Sequence, residues 1–179
     1  DGVVLTEANL YRAKLTEANL NRADLRKANL IGANLTGAYF ARADFRMVVA
    51  GDGTLWPKGF DPEAAGVKEA RPGADLSAAY LSGKDLSGAN LSGAYFTGAR
   101  LIGTDLTGAD LSGAFFSRAE LNQANLSGAD LGGADLRRAY LEGTNLSGTD
   151  LRKADLTEAK ANEDTTWPDG FDPVAAGVI

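Results

Sequence analysis

Leu or Phe recurs at every fifth residue from Leu5 to Phe45, and again from Leu76 to Leu156. These 26 central positions hold 22 Leu, and the position two places before each centre holds Ala in 21 cases. Between the two apolar positions Asp or Asn dominates. The two residues after each centre are drawn mostly from Ser, Thr, Gly and Arg, as in ANLSG at 89–93, TDLTG at 104–108 and ADLSG at 109–113. A period of five fits neither an amphipathic helix, near 3.6, nor an alternating strand, at 2. A helix advances about 100° per residue, so five steps scatter the centres around the cylinder. The pattern predicts a coil in which each pentapeptide makes one short side and one corner. Leu and Ala point inward, and Asp/Asn, Ser/Thr and Gly supply turn chemistry and solvent contact.

Four such sides close a square, and closure requires a correlation every twenty residues that a five-residue motif does not itself impose. The second block carries it. The exceptions to Asp/Asn there are Tyr80, Arg100, Glu120 and Tyr140, spaced by twenty, and Tyr95 and Phe115, also spaced by twenty. Gly88, Gly108, Gly128 and Gly148 form a further column, beside Ser87, Thr107, Ser127 and Ser147. Phe96 and Phe116 are expected to stack in the interior by the same count.

These runs of A(D/N)LxG resemble the pentapeptide-repeat proteins, a family abundant in photosynthetic bacteria. The resemblance implies an all-β fold, a right-handed quadrilateral parallel β-helix; the sequence periods by themselves support a four-sided coil. With four repeats per coil, the 26 repeats make about 6.5 coils of 20 residues, and at roughly 4.8 Å between stacked strands a column on the order of 31 Å long. Every interior slot is claimed by a side chain, which leaves no internal pocket, so function must lie outside.

The repeat breaks twice, with closely similar text. Residues 56–67 read WPKGFDPEAAGV and residues 167–178 read WPDGFDPVAAGV, identical at 10 of 12 positions at an offset of 111. The chain therefore divides into a first repeat block (1–50), an inserted segment (51–74), a second block (75–161) and a C-terminal cap (162–179). A solenoid end exposes apolar side chains and unpaired backbone, so it needs a cap. Trp167 and Phe171, held by Pro168, Gly170 and Pro173, suit a lid over the final coil. Trp56 and Phe60 admit two readings: a side loop on one continuous column, which makes 1–179 a single domain, or the lid of a separate solenoid. The continuous column hides one pair of ends and is preferred. A GFDP loop that binds a partner is the alternative to capping.

Composition removes most enzyme chemistry. The 179 residues contain no Cys and no His, which excludes disulfides, thiolate nucleophiles, Cys/His zinc sites and imidazole acid–base catalysis. The net charge is −6, with the first block at +2 and the acidity concentrated toward the C-terminus. That balance argues against direct nucleic-acid binding. No apolar run approaches the roughly 18 residues of a membrane helix, so no membrane insertion is expected and the chain reads as soluble. Residue 1 is Asp and Val3 already fits the repeat, so the natural N-terminus is expected to have been trimmed. The compartment stays open between cytoplasm and, after signal removal, periplasm or thylakoid lumen.

The two columns of exceptions form the candidate partner-binding face: Tyr80, Tyr95, Arg100, Phe115, Glu120 and Tyr140, with Arg118, Arg137 and Arg138 close by. Aromatic residues and Arg are enriched at protein interfaces. The competing reading is that larger side chains simply cover corners that do not need Asp or Asn. Lys84 occupies an inward Ala slot, as do Thr104, Thr144 and Thr149. The Thr hydroxyls can bond nearby backbone, and Lys84 is expected to snorkel outward or meet a carboxylate of the inserted segment. The Asp110, Asp130 and Asp150 column reads as solvated turn residues rather than paired catalytic carboxylates or a calcium site.

The functional expectation is a non-enzymatic scaffold or interaction module for an unidentified protein, with no catalytic residues, cofactor or metal, and with homodimer formation left open. The resemblance adds an alternative, because some family members mimic duplex DNA and bind type II topoisomerases. That reading wants a long, strongly acidic rod, and here the first block is positive and Arg118, Arg137 and Arg138 interrupt the second. A simple structural protein is a further alternative. Ice or carbohydrate binding on the Ser87, Thr107, Ser127, Ser147 face is disfavoured by its mixed Ser and Thr.

Overall fold

The computed structural model describes residues 1–51 and 53–179. The chain is an all-β solenoid, with no helix among the described residues. It forms two compact units, Asp1–Ala70 and Arg71–Ile179. Bridges in both units are parallel and link residues mostly twenty apart.

The repeat centred on Leu106 shows why this sequence makes this backbone. The Leu106 N–H donates to Asn125 O at 2.7 Å, the Gly108 N–H to Ser127 O at 3.0 Å, and the Asp110 N–H back to Ala89 O at 3.0 Å. The Ala109 N–H closes a turn onto Leu106 O at 3.0 Å. The fifth amide, Thr107 N–H, donates to Asp105 Oδ1 at 3.0 Å. All five amides of the pentapeptide are thus satisfied, three by neighbouring coils, one by the turn and one by the Asp side chain, which is the accounting a packed backbone demands. Asp or Asn before most centres suits this turn because its short side chain reaches the amide two residues on. The turn requires positive φ at its third residue, Gly108 at +64°, the signature of a type II turn.

In unit 1, bridges run from Val4↔Asp24 through Asn34↔Leu55. Two short strands, β1 (Val49–Gly51) and β2 (Lys68–Ala70), pair in parallel with Val49 opposite Lys68. The segment read as an insertion therefore joins the ladder at Leu55 and at Lys68–Ala70. The interior holds Leu20, Leu25, Leu30, Leu35 and Phe45 with the intervening Ala residues, while Leu5, Leu10 and Leu15 of the first coil are half-buried. Between the two pairing points, Trp56 stacks on Phe60 at 4.8 Å, and Phe60 packs on Phe40 at 5.1 Å and on Phe45 at 5.2 Å.

In unit 2, bridges run from Asp75↔Tyr95 to Asn145↔Thr166, and every Leu or Phe centre from Leu76 to Leu156 is buried. Phe96 and Phe116 stack inside at 4.6 Å with 2° between planes. The buried hydroxyls of Thr104, Thr144 and Thr149 each donate to a backbone carbonyl at 2.8 Å, those of Leu81, Leu121 and Leu126. Lys84 is only 5% exposed, which corrects one of its two expected placements: its side chain does not snorkel to the surface.

The second WPxGFDP segment repeats the first, bond for bond. Phe60 N–H donates to Pro57 O, and Phe171 N–H to Pro168 O, both at 3.1 Å. Asp61 and Asp172 each accept the amide three residues on, at 3.0 Å. Thr54 Oγ1 donates to Leu30 O and Thr165 Oγ1 to Leu141 O, both at 2.9 Å. Trp167 stacks on Phe171 at 5.2 Å. Each partner pair is shifted by 111 residues, so the duplicated text encodes a duplicated local fold.

Candidate functional site

The six candidate face residues of unit 2 fall into two columns. Tyr80↔Arg100, Arg100↔Glu120 and Glu120↔Tyr140 are successive bridge partners, and Tyr140 continues to Lys160. Tyr95 pairs with Phe115 on a neighbouring side. Side chains interact down each column. The Arg100 guanidinium lies 5.7 Å from the Tyr80 ring centre and bonds Glu120 at 3.1 Å. The Lys160 amine lies 5.1 Å from the Tyr140 ring. Tyr95 and Phe115 stack at 4.7 Å with 8° between planes, 46% and 38% exposed. Trp56 and Phe60 belong to the WPxGFDP segment of unit 1, and Trp167 and Phe171 to that of unit 2.

Replacing Asp or Asn at these six positions has a local consequence. Asp85, Asp105, Asp110 and Asp130 each accept the amide two residues on. Tyr, Phe, Arg and Glu make no such bond here among the described residues. Ser82 shows the effect. Ser87 and Ser92 give their hydroxyls to Asp85 and Asn90 at 2.7 and 2.9 Å, whereas the buried Ser82 Oγ, two residues after Tyr80, has no partner among the described residues. A turn-capping bond contributes about 0.5–1.5 kcal/mol. The exceptions therefore give up local stability, and they do so in columns.

The sequence placed Arg118, Arg137 and Arg138 near this face, and the structure gathers them in one open groove of about 440 Å³ with Thr97, Ser117, Thr157 and Glu158. Arg137 bonds Asp135 at 2.7 Å, and Arg138 bonds Glu158 at 2.7 Å. The guanidinium beside each holds the Asp135 and Glu158 carboxyls below their ordinary range. Sequence reasoning missed these pairings, although the Asp-x-Arg spacing of Asp135 and Arg137 was legible. The same motif gives the Asp24–Arg26, Asp44–Arg46 and Asp150–Arg152 pairs.

The Asp110, Asp130 and Asp150 column is accounted for by turn capping. Each Oδ1 accepts an amide, from Ser112, Gly132 and Arg152 respectively. Among the described residues no cluster of three His, Cys, Asp or Glu side chains is placed to hold a metal ion. No helix of the described residues is long and apolar enough to cross a membrane.

The family model for pentapeptide repeats matches eight copies, over residues 8–46, 73–108, 99–138 and 134–163. Among solved structures, HetL, a pentapeptide repeat protein involved in heterocyst differentiation regulation in the cyanobacterium Nostoc sp. strain PCC 7120, is 33% identical. The match covers 96% of this chain and 70% of HetL, with a TM-score of 0.40. A pentapeptide repeat protein from the Arabidopsis thaliana thylakoid lumen is 25% identical, over 57% of this chain and 70% of its own, with a TM-score of 0.42. QnrB1, a plasmid-mediated fluoroquinolone resistance protein, is 19% identical over 99% of this chain and 91% of its own, with a TM-score of 0.40. No curated protein matches. With the family model covering more than half of the chain and the five-residue register running through both units, the chain belongs to the pentapeptide-repeat family.

Proposed function

We propose that the chain is a non-enzymatic scaffold or protein–protein interaction module that engages a partner protein through its outer faces. The observation that carries this reading is the grouping of Tyr80, Arg100, Glu120 and Tyr140 in one column and Tyr95 and Phe115 in another. Each of these positions forgoes the turn-capping bond that Asp or Asn makes elsewhere. Their side chains pair on the surface instead, where an ion pair contributes about 0–1 kcal/mol. Aromatic and Arg side chains displayed together are the residues that dominate binding energy at protein interfaces. In this reading the coil is a right-handed quadrilateral parallel β-helix with a filled interior. Its four sides are supported by four bridge positions per turn, such as Asp85, Asn90, Tyr95 and Arg100.

The test is a variant carrying Tyr80→Ala, Arg100→Ala, Phe115→Ala and Tyr140→Ala together. In pull-downs from the native cell extract, proteins retained by the parent chain are expected to be lost by the variant while its circular dichroism stays unchanged. Retention of the same proteins by both would overturn the reading.

Trp56 and Phe60, and Trp167 and Phe171, are assigned as caps of the coils beneath them. The tight packing of the first pair on Phe40 and Phe45 supports this. Trp56→Ala should raise hydrogen exchange at the Phe45 and Val48 amides, and Trp167→Ala at those of Leu156 and Ala159. Exchange unchanged by either substitution would remove the capping role.

A further inference from the structure

The corner of unit 2 that runs through Phe115, Ser117, Arg118 and Glu120 joins the two candidate columns. Its groove holds three guanidinium groups in unequal states. Arg137 is paired with Asp135 and lies 3.8 Å from Asp155, and Arg138 is paired with Glu158. Arg118 is exposed and makes no ion pair among the described residues. Its column neighbours explain why. Twenty residues before stands Gly98, with no side chain, and twenty after stands Arg138, a like charge. Arg118 also sits at φ +59°, a conformation that glycine fills at Gly98 and that costs a side-chain-bearing residue about 1–2 kcal/mol. A large cation is thus held at a strained corner without a counterion of its own. Thr97, Ser117 and Thr157 line the same groove, and the Tyr95–Phe115 stack precedes it by two or three residues in the chain.

We propose that this groove docks an acidic segment of a partner protein, with Arg118 taking a carboxylate and the stacked Tyr95 and Phe115 rings taking an apolar or aromatic side chain beside it. This rests on the interaction-module reading and names the partner's chemistry. A guanidinium meets a carboxylate through two parallel hydrogen bonds, which are stronger than neutral ones. The exposed ring faces give the flat apolar contact that interface aromatics supply. Charge complementarity selects the occupant. Asp135, Asp155, Glu158 and Glu120 border the corner, so a polyphosphate chain meets several like charges, whereas a peptide can present one carboxylate to Arg118 and an apolar group to the rings.

The test uses the full chain, labelled with ¹⁵N, and four probes: a blocked peptide of alternating Glu and Phe, its Lys and Phe counterpart, inorganic phosphate, and a short DNA duplex. The Glu/Phe peptide is expected to shift the amide signals of Tyr95, Ser117, Arg118 and Arg137, and to weaken by about fivefold or more between 50 and 300 mM salt, as screening shortens the reach of the charges. Arg118→Gly, which matches the Gly98 conformation, and Arg118→Glu should each weaken binding by about tenfold, the loss of one charge-assisted contact. Lys153→Glu, the same change of charge outside the groove, should leave binding within twofold of the parent. The proposal is overturned if Lys153→Glu weakens binding as much as Arg118→Glu. The Lys/Phe peptide binding as tightly as the Glu/Phe peptide, phosphate reproducing the same shifts at the same affinity, or the duplex binding more tightly than the peptide also overturns it. If the fourfold alanine variant loses its native partners while Arg118→Gly keeps them, the module reading stands and this groove assignment alone fails.

Discussion

Tyr95 and Phe115 stack on the outside of unit 2 at 4.7 Å, and their chain neighbours Phe96 and Phe116 stack inside it at 4.6 Å. Both separations match the spacing of adjacent strands, about 4.7–4.9 Å. One backbone register thus builds two aromatic ladders of opposite purpose. The inner pair is fully buried, whereas the outer pair is 46% and 38% exposed.

Phe116→Ala should therefore cost about 3–5 kcal/mol of unfolding free energy through the cavity it leaves. Phe116→Leu, which restores the residue found at most centres, should cost less than about 1.5 kcal/mol. Phe115→Ala should stay within about 1 kcal/mol. Denaturant melts of the three variants check the order. A Phe115→Ala loss as large as that of Phe116→Ala would mean that the outer ring belongs to the core.

The turn corners make a second prediction. Ala78 adopts φ +52° at a position that most repeats of unit 2 fill with glycine, whereas Gly98 adopts φ +63° with open space where a Cβ would stand. Substitution in either direction changes conformational strain and little else. Ala78→Gly is expected to stabilise by about 0.5–1 kcal/mol and Gly98→Ala to destabilise by about 1 kcal/mol. Thermal melts of the pair should move in opposite directions, and shifts of the same sign would contradict the assignment of strain to these corners.

The Asp-x-Arg pairs set the acid limb of stability. Hydrogen bonding to Arg152 lowers the Asp150 carboxyl from its ordinary 3.8 to about 2. Arg26, Arg46 and Arg137 lower Asp24, Asp44 and Asp135 in the same way. A carboxyl whose pKa falls on folding contributes stability that is fully present above the ordinary value and is lost as pH drops through the folded one. The melting temperature should hold level from pH 7 to about 5 and fall between about pH 4 and 2. Arg152→Gln should flatten part of that fall. A melting temperature that rises on acidification below pH 4 would contradict these pairings.

Much of this was legible in the sequence because the fold is local and periodic. A period of five with an echo at twenty fixes which residues face inward and which stack. Phe96 and Phe116, the Thr hydroxyls, and the columns of Tyr80 and Tyr95 all lie where that register puts them. Lys84 set two signals against each other, since the register assigns it an inward slot while its chemistry argues for water, and in the structure the slot prevails. The Arg118 groove escaped for a different reason. Charge counts show three arginines, but their pairing depends on the fold, which gives two of them carboxylate partners and the third none among the described residues. The role of residues 51–74 was obscured by its broken period, since Leu55 and Lys68 rejoin the ladder outside the five-residue spacing.

The stacking of residues twenty apart is tested most directly by cysteine pairs in this Cys-free chain. Disulfide formation needs Cα atoms about 4.4–6.8 Å apart, a range that adjacent coils meet. Ser87→Cys with Thr107→Cys, twenty residues apart in one column, should cross-link almost completely under mild oxidation. Ser87→Cys with Ser112→Cys, twenty-five apart and one side further around the coil, should stay reduced. Equal cross-linking of the two pairs, or a preference for the second, would contradict the twenty-residue coil on which the columns, the groove and the filled interior all depend.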